Sequence, residues 1–111
     1  MAFDEQLAER IRAHLAAGPA VTEMRMFGGL AFLVGGNMAV AASGQGGLLV
    51  RVDPERSDEL AERPGVEPMR MRGREMRGWL LVDSDEVVTD EALAGWIERG
   101  MGYARTLPSK S

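Results

Sequence analysis

A chain of 111 residues has the length of one domain. Its apolar fraction of 45% and charged fraction of 27% are those of an ordinary globular protein, and the absence of cysteine excludes disulfides and thiolate metal sites. The net charge of −4 does not favour broad contact with the phosphate backbone of nucleic acid. Because the N-terminal residues are acidic and no apolar run approaches the roughly 20 residues that span a bilayer, we expect a cytoplasmic protein without a signal peptide or a membrane segment.

The first predicted element is a helix over residues 3–17. Its apolar residues recur every four positions and form one stripe along the helix: Phe3, Leu7, Ile11 and Leu15. The pair Gly18-Pro19 is expected to end the helix, since glycine followed by proline is typical of a helix C-terminus.

A glycine-rich stretch follows and is predicted to form hairpins. The predicted strands cover residues 21–27, 30–34, 38–42 and 48–52. Between the first two strands, Gly28-Gly29 is expected to introduce a bulge or a close backbone approach, after which the strand resumes. Gly35-Gly36-Asn37 is typical of a tight turn, because these residues adopt positive φ readily.

The second half is predicted to contain two helices and one or two strands. Asp53 and Pro54 have the form of a helix N-cap and first helical position, and the helix is expected to run to about Arg63. Residues 66–72 fit an exposed edge strand, and a turn over residues 73–75 follows.

The last two predicted elements carry much of the apolar sequence. Residues 76–82 form a strand whose end is apolar on both faces and therefore buried on both. Thr89 or Asp90 caps the last helix, and its apolar face is predicted to consist of Leu93, Trp96, Ile97, Met101 and Ala104. Strands joined by hairpins, with helices between the groups, indicate an α+β fold, a two-layer structure with an antiparallel sheet and three helices. One domain over residues 1–108 and a frayed tail over residues 109–111 are predicted.

No stretch of the sequence has the pattern of a catalytic or cofactor site. The glycine pairs lack the GxxxxGK[ST] and GxGxxG patterns and lead into strands, whereas a phosphate loop needs a helix N-terminus. No serine lies in a GxSxG elbow, and the only imidazole, His14, falls near the end of the first helix. Asp83, Asp85 and Glu86 are spaced loosely like a calcium loop but lack its glycine and distal glutamate. We therefore predict no catalytic residue, no cofactor and no metal site.

Four arginines lie within eight residues, and Glu75 is the only acid among them: Arg70, Arg72, Arg74 and Arg77. On a strand, Arg70 and Arg72 would face the same side, and Arg74 could extend the row. Such a row has two interpretations, an anion or phosphate contact, or an edge strand that charge guards against aggregation.

A set of motifs in a fixed order resembles the N-terminal domain of the TfoX/Sxy family. In chain order these motifs are Arg25-Met26-Phe27-Gly28-Gly29, Leu30-Ala31-Phe32, Gly36-Asn37-Met38, Leu48-Leu49-Val50-Arg51-Val52-Asp53, Gly73-Arg74-Glu75-Met76-Arg77-Gly78-Trp79, Thr89-Asp90-Glu91, Leu93, Trp96-Ile97 and Leu107-Pro108. The resemblance covers nearly the whole chain.

The resemblance implies a two-layer α+β fold similar to the secretion-chaperone-like and YjbR-like domains. It also implies a role in regulation, since full-length members are positive regulators of natural competence genes in bacteria. Those members carry a second, C-terminal domain, and this sequence ends where the first domain would end, so a stand-alone version is expected. The family's N-terminal domain supplies no catalytic residue to carry over, and its R-M-F-G-G positions, Arg25 to Gly29 here, would have a structural or interaction role.

We therefore predict a non-enzymatic regulatory module that contacts a protein, or another copy of itself, through its sheet or through the edge beside residues 25–29. Two alternatives stay open at this point. One is a nucleic-acid-binding module that uses the arginines of residues 70–77. The other is a small enzyme whose unrecognised site lies near Arg25 or Arg51.

Overall fold

The computed structural model describes residues 3–15, 21–26, 28–71 and 73–108, and for Met26 and Met71 it describes the backbone alone. The predicted helix end at Gly18-Pro19, the candidate residues Phe27 and Arg72, and the tail over residues 109–111 lie outside the described residues. Three helices are described, α1 (Glu5–Leu15), α2 (Ser57–Leu60) and α3 (Asp90–Ala104). The strands are β1 (Thr22–Met26), β2 (Gly29–Val34), β3 (Asn37–Ala42), β4 (Leu48–Arg51), β5 (Val66–Met71) and β6 (Arg74–Val82).

The six strands form one antiparallel sheet in the order β1-β2-β3-β4-β6-β5. The predicted α+β fold with an antiparallel sheet and three helices is therefore confirmed. Strands β1 and β5 form the two edges of this sheet, which agrees with the edge position predicted for residues 66–72.

The helices and one face of the sheet enclose the main core. The predicted stripe of α1 contributes Leu7 and Ile11, which are buried, and the predicted apolar face of α3 is buried along its length. They pack against alternate residues of the central strands: Phe32, Val40, Val50, Leu80 and Val82. Thr89, one of the two predicted caps, accepts a hydrogen bond at its Oγ1 from the backbone N–H of Ala92 (3.1 Å).

The predicted bulge at Gly28-Gly29 is wrong, because the chain reverses direction there. Met26 pairs with Gly29 across β1 and β2, so a tight hairpin turn joins two separate strands. Gly28 lies in that turn with φ +76°, a left-handed conformation that short hairpin turns require. The glycine pair thus ends β1 instead of interrupting it.

The helix predicted from Asp53 to about Arg63 is also shorter than expected. Asp53 caps the start as predicted, accepting a hydrogen bond at Oδ1 from the N–H of Glu55 (2.9 Å), but a 3₁₀ turn over Pro54–Arg56 comes first. One α-helical turn, Ser57–Leu60, follows. Only Ser57 and Leu60 of that turn are buried, and so small an apolar face does not support a longer helix.

Two further expectations for the second half need correction. The turn predicted over residues 73–75 is shorter, since β6 already begins at Arg74. Residues 79–82 are not buried on both faces, because Leu80 and Val82 are buried whereas Trp79 and Leu81 are only half-buried. The reason is that Leu80 and Val82 face the helices, while Trp79 and Leu81 point to the opposite side of the sheet.

Candidate functional site

The sheet face that points away from the helices has an apolar region. Ala31, Leu33 and Ala41 form a second buried cluster there, with Met38 and Leu49 packed against it, and no described helical residue belongs to this cluster. The strand register places further apolar side chains in the same cross-sheet row, which runs from Met24 through Ala31, Ala41 and Leu49 to Leu81. We call this surface the open face.

None of the described helices has the length and apolar character that crossing a membrane requires.

The two edges of the sheet differ in their protection. Among the described strands, β1 pairs with β2 alone, it contains no proline, and its residues Thr22 to Arg25 are exposed. Met24 is 48% exposed and extends the open face to this edge. The opposite edge, β5, carries Pro68, which lacks an N–H, and an ion pair between Arg70 and Glu75. Proline hinders the addition of another strand, so β1, which contains none, is the more accessible of the two edges.

Two charged side chains of β1 face the helices. Glu23 pairs with Phe32 and Arg25 pairs with Leu30 across β1 and β2, and both partners belong to the main core. Arg12 of α1 binds Glu23 through two hydrogen bonds, of 2.8 and 2.9 Å. Arg12 also contacts Glu9.

These contacts shift the pKa values of Arg12 and Glu23. The hydrogen bonds from Arg12 lower the pKa of Glu23, although partial burial opposes the shift. Hydrogen bonds with Glu23 and Glu9 raise the pKa of Arg12. Arg25 takes part in none of the ion pairs that the described residues form, and its guanidinium carbon lies 5.8 Å from the centroid of the Phe3 ring. The β1 edge therefore presents one neutralised acid and one cation without a carboxylate partner.

The candidate residues of the R-M-F-G-G motif lie at the hairpin that joins β1 to β2. Arg25 and the backbone of Met26 end β1, and Phe27 lies outside the described residues. Gly28 is exposed in the turn, whereas Gly29 is buried, and a Cβ on Gly29 would lie 2.5 Å from the backbone oxygen of Ala42. The two glycines thus have structural roles, and Arg25 is the exposed polar side chain that the motif contributes to the edge.

The arginines of the β5–β6 hairpin do not line up in the way predicted from the sequence. Arg70 faces Glu75, at 3.5 Å, and Arg74 pairs with Met71 one position further along. Neighbouring strand positions point to opposite faces, so Arg74 lies on the other side of the hairpin from Arg70 and does not extend its row. Arg77 is exposed, and Arg72 lies outside the described residues.

Two of the described serine hydroxyls have structural roles. The buried hydroxyls of Ser43 and Ser57 accept hydrogen bonds from the backbone N–H groups of Gln45 and Gly78. His14 is exposed on α1. Over the same described residues, no three histidine, aspartate or glutamate side chains are grouped in a way that could hold a metal ion.

Described residues line two open pockets, among others. The larger, of about 450 Å³, lies between α3 and residues 63–66, and the smaller, of about 360 Å³, lies beside the turn over residues 45–47. Neither pocket is lined by Arg25 or Arg51, the residues near which an enzyme site was suggested.

Arg51 instead contacts two aromatic rings. Its guanidinium carbon lies 4.8 Å from the centroid of the Trp79 ring and 5.8 Å from that of Tyr103. Arg51 and Trp79 are direct partners across β4 and β6, a pairing that residue spacing alone does not reveal. The sequence identified both residues within motifs but had no signal that placed them together.

Comparison with protein families gives one result that bears on function. The family described as TfoX N-terminal domain matches residues 13–104. The match begins within α1 and ends with α3, so it includes all six described strands. Neither the search of curated proteins nor that of solved structures returned a significant match.

Proposed function

The chain belongs to the TfoX N-terminal domain family, and from this membership we propose that it is a non-enzymatic regulatory module that acts through protein contacts, first of all with a second copy of itself. Full-length relatives, as the motif resemblance implies, regulate competence genes, and we propose a regulatory role of that kind in the cytoplasm. The observation that carries the proposal is the charge pattern of the exposed edge strand β1.

The sequence of β1 is complementary to itself. When two copies of a strand pair in antiparallel fashion about Met24, the Met24 residues lie opposite each other and Glu23 lies opposite Arg25 of the second copy. Each such contact joins opposite charges, and the two-fold symmetry produces it twice. Opposite charges directly across two strands stabilise a pairing, whereas like charges weaken it.

In this pairing, each face of one sheet continues into the same face of the other. Glu23 and Arg25 lie on the helix side, so the new ion pairs would form beside Arg12, and a carboxylate has acceptor sites for both cations. Met24 lies on the open face and would meet its counterpart there. The two sheets would then continue into each other with one apolar surface running across both.

A non-enzymatic role is supported by the distribution of reactive groups. The described hydroxyls of Ser43 and Ser57 are used in structural hydrogen bonds, and His14 lies on the exposed surface of α1. A nucleophile, a base and an orienting group have to lie within hydrogen-bond reach of each other for covalent catalysis.

Charge reversal at the edge tests the proposal. Arg25→Glu places two acids opposite each other in the paired strands, so we expect a sedimentation experiment to show a monomer where the unchanged chain shows a concentration-dependent dimer. Arg105→Glu is the matched control, because it makes the same charge change at an exposed residue that follows α3. A dimer that Arg25→Glu leaves intact, or an unchanged chain that stays monomeric at all concentrations, would contradict self-pairing through β1.

A further inference from the structure

The larger pocket is lined by a tryptophan and two arginines, and none of its lining residues belongs to β1. Trp96, a residue of α3 that is only 7% exposed, forms part of the pocket wall. Two guanidinium groups lie against its ring, since the guanidinium carbons of Arg99 and Arg63 are 5.2 and 5.8 Å from the ring centroid. Both arginines also line the pocket.

The two arginines bring positive charge to a pocket that Glu86 and Glu91 also line. Neither Arg63 nor Arg99 takes part in an ion pair with any described carboxylate, whereas nearby Arg56 is paired with Glu59 at 3.6 Å. Burial lowers the pKa of Arg99, and the charges of Arg63 and Arg56 lower it further, whereas the charge of Glu59 opposes the shift. Contact with an indole face offsets only part of the cost of bringing two cations together.

The rest of the pocket limits what an anionic ligand can be. Glu91 and Arg99 both line it, and eight residues of helix separate them by about 12 Å. Between them lies Gly95, where a Cβ would meet no atom within 4 Å, so the middle of the pocket is open. Glu86 also lines the wall and adds negative charge. An extended polyanion such as nucleic acid would bring several negative charges against these acids, whereas a small ligand can place its single anionic group beside the two arginines.

We propose that this pocket is a binding site for a small ligand that carries one oxyanion group, a phosphate or a carboxylate, held between Arg63 and Arg99. Planar guanidinium groups bind the oxygens of both anions through paired hydrogen bonds. The pocket volume of about 450 Å³ falls in the range of small-molecule sites, and the body of the ligand would lie over Gly95.

Trp96 provides the readout for the test. The chain has two tryptophans, so Trp79→Phe leaves Trp96 as the only source of indole fluorescence. We expect inorganic phosphate or sodium acetate, each added at an ionic strength held constant with chloride, to change this fluorescence in a saturable way. The more tightly bound of the two identifies the anion as a phosphate or a carboxylate.

The variants decide whether the two arginines form the site. Arg63→Gln and Arg99→Gln should each weaken the binding by about tenfold or more, because each removes charged hydrogen bonds. Arg105→Gln, which removes the same charge away from the pocket, should leave the binding unchanged. Arg63 is exposed, so its variant is expected to fold even where that of Arg99 does not. No saturable change with either anion, an equal change with chloride alone, or full binding in Arg63→Gln would overturn the proposal.

Discussion

Gly100 shows how a single residue sets the distance between helix and sheet. A Cβ at this position in α3 would overlap the backbone oxygen of Ala39 in β3. The helix therefore packs directly against the strand backbone, and no side chain larger than hydrogen fits there. The sequence predicted the apolar face of α3 correctly, but it gave no sign that the backbone of β3 comes too close to Gly100 for a side chain.

We expect Gly100→Ala to lower the free energy of unfolding by about 1–3 kcal/mol, the range for overpacking a closely packed site. Gly102→Ala is the matched control, since a Cβ on Gly102 meets no atom within 4 Å and the residue lies in the same helix. That control should stabilise the chain by about 0.5–1 kcal/mol, because alanine restricts the unfolded chain more than glycine does. Denaturant unfolding of both variants checks this, and equal effects of the same sign would contradict the packing described.

Gly28 and Gly29 are adjacent but are required for different reasons. Gly28 has φ +76°, and Gly29 approaches the backbone oxygen of Ala42. Valine at either position should cost about 1–3 kcal/mol, through backbone strain at Gly28 and through overpacking at Gly29. Asparagine separates the two causes, because it tolerates positive φ but still carries a Cβ. We expect Gly28→Asn to be tolerated and Gly29→Asn to unfold at lower denaturant, and the reverse order would contradict the assignment.

At the scale of elements, the contact between α1 and β1 depends on pH. Arg12 holds the pKa of Glu23 below its ordinary value of 4.5, so the ion pair stabilises the fold above that pH. The contribution is lost as the pH falls through the lowered pKa of the folded state, where Glu23 becomes protonated.

Glu23→Gln should therefore be less stable than the unchanged chain at neutral pH and equally stable in strong acid. The difference is expected to be small, because Glu23 and Arg12 are both partly exposed and solvent screens their charges. Glu67→Gln, on the opposite edge strand, controls for the loss of an acid from an exposed strand position. Unfolding at a series of pH values checks the prediction, and a difference that grows as the pH falls would contradict it.

Most elements could be predicted from the sequence because their side chains repeat with the period of a strand or a helix. The stripe of α1 is an example, since Leu7 and Ile11 are buried as predicted, although the helix begins at Glu5 and not at Phe3. Glycine patterns were less informative, since Gly28-Gly29 is compatible with a bulge inside one strand and with a turn between two. The choice depends on whether the residues before the glycines pair with those after them, and the period of a strand does not show this. Arg63 was not recognised as a neighbour of Trp96 for another reason, because the two residues lie far apart in the sequence.

The whole molecule has two layers, and its helices cover one face of the sheet. The candidate surface follows from this arrangement, because β1 ends the sheet on one side and Met24 joins the edge to the open face. The sequence predicted an edge beside residues 25–29 as a contact site. The alternation of the sequence already puts Glu23 and Arg25 on one face of a strand and Met24 on the other, but it could not show that this strand forms an edge of the sheet.

Mixing two charge-reversed chains tests the central claim most directly. Arg25→Glu gives a β1 strand with two acids, and Glu23→Arg gives one with two bases, so neither variant should pair with itself. Together they restore opposite charges at both contacts across the strands. Sedimentation is expected to show two monomers when the variants are examined separately and a mixed dimer when they are combined. Two monomers that remain separate in the mixture, while the unchanged chain forms a dimer, would contradict pairing through β1.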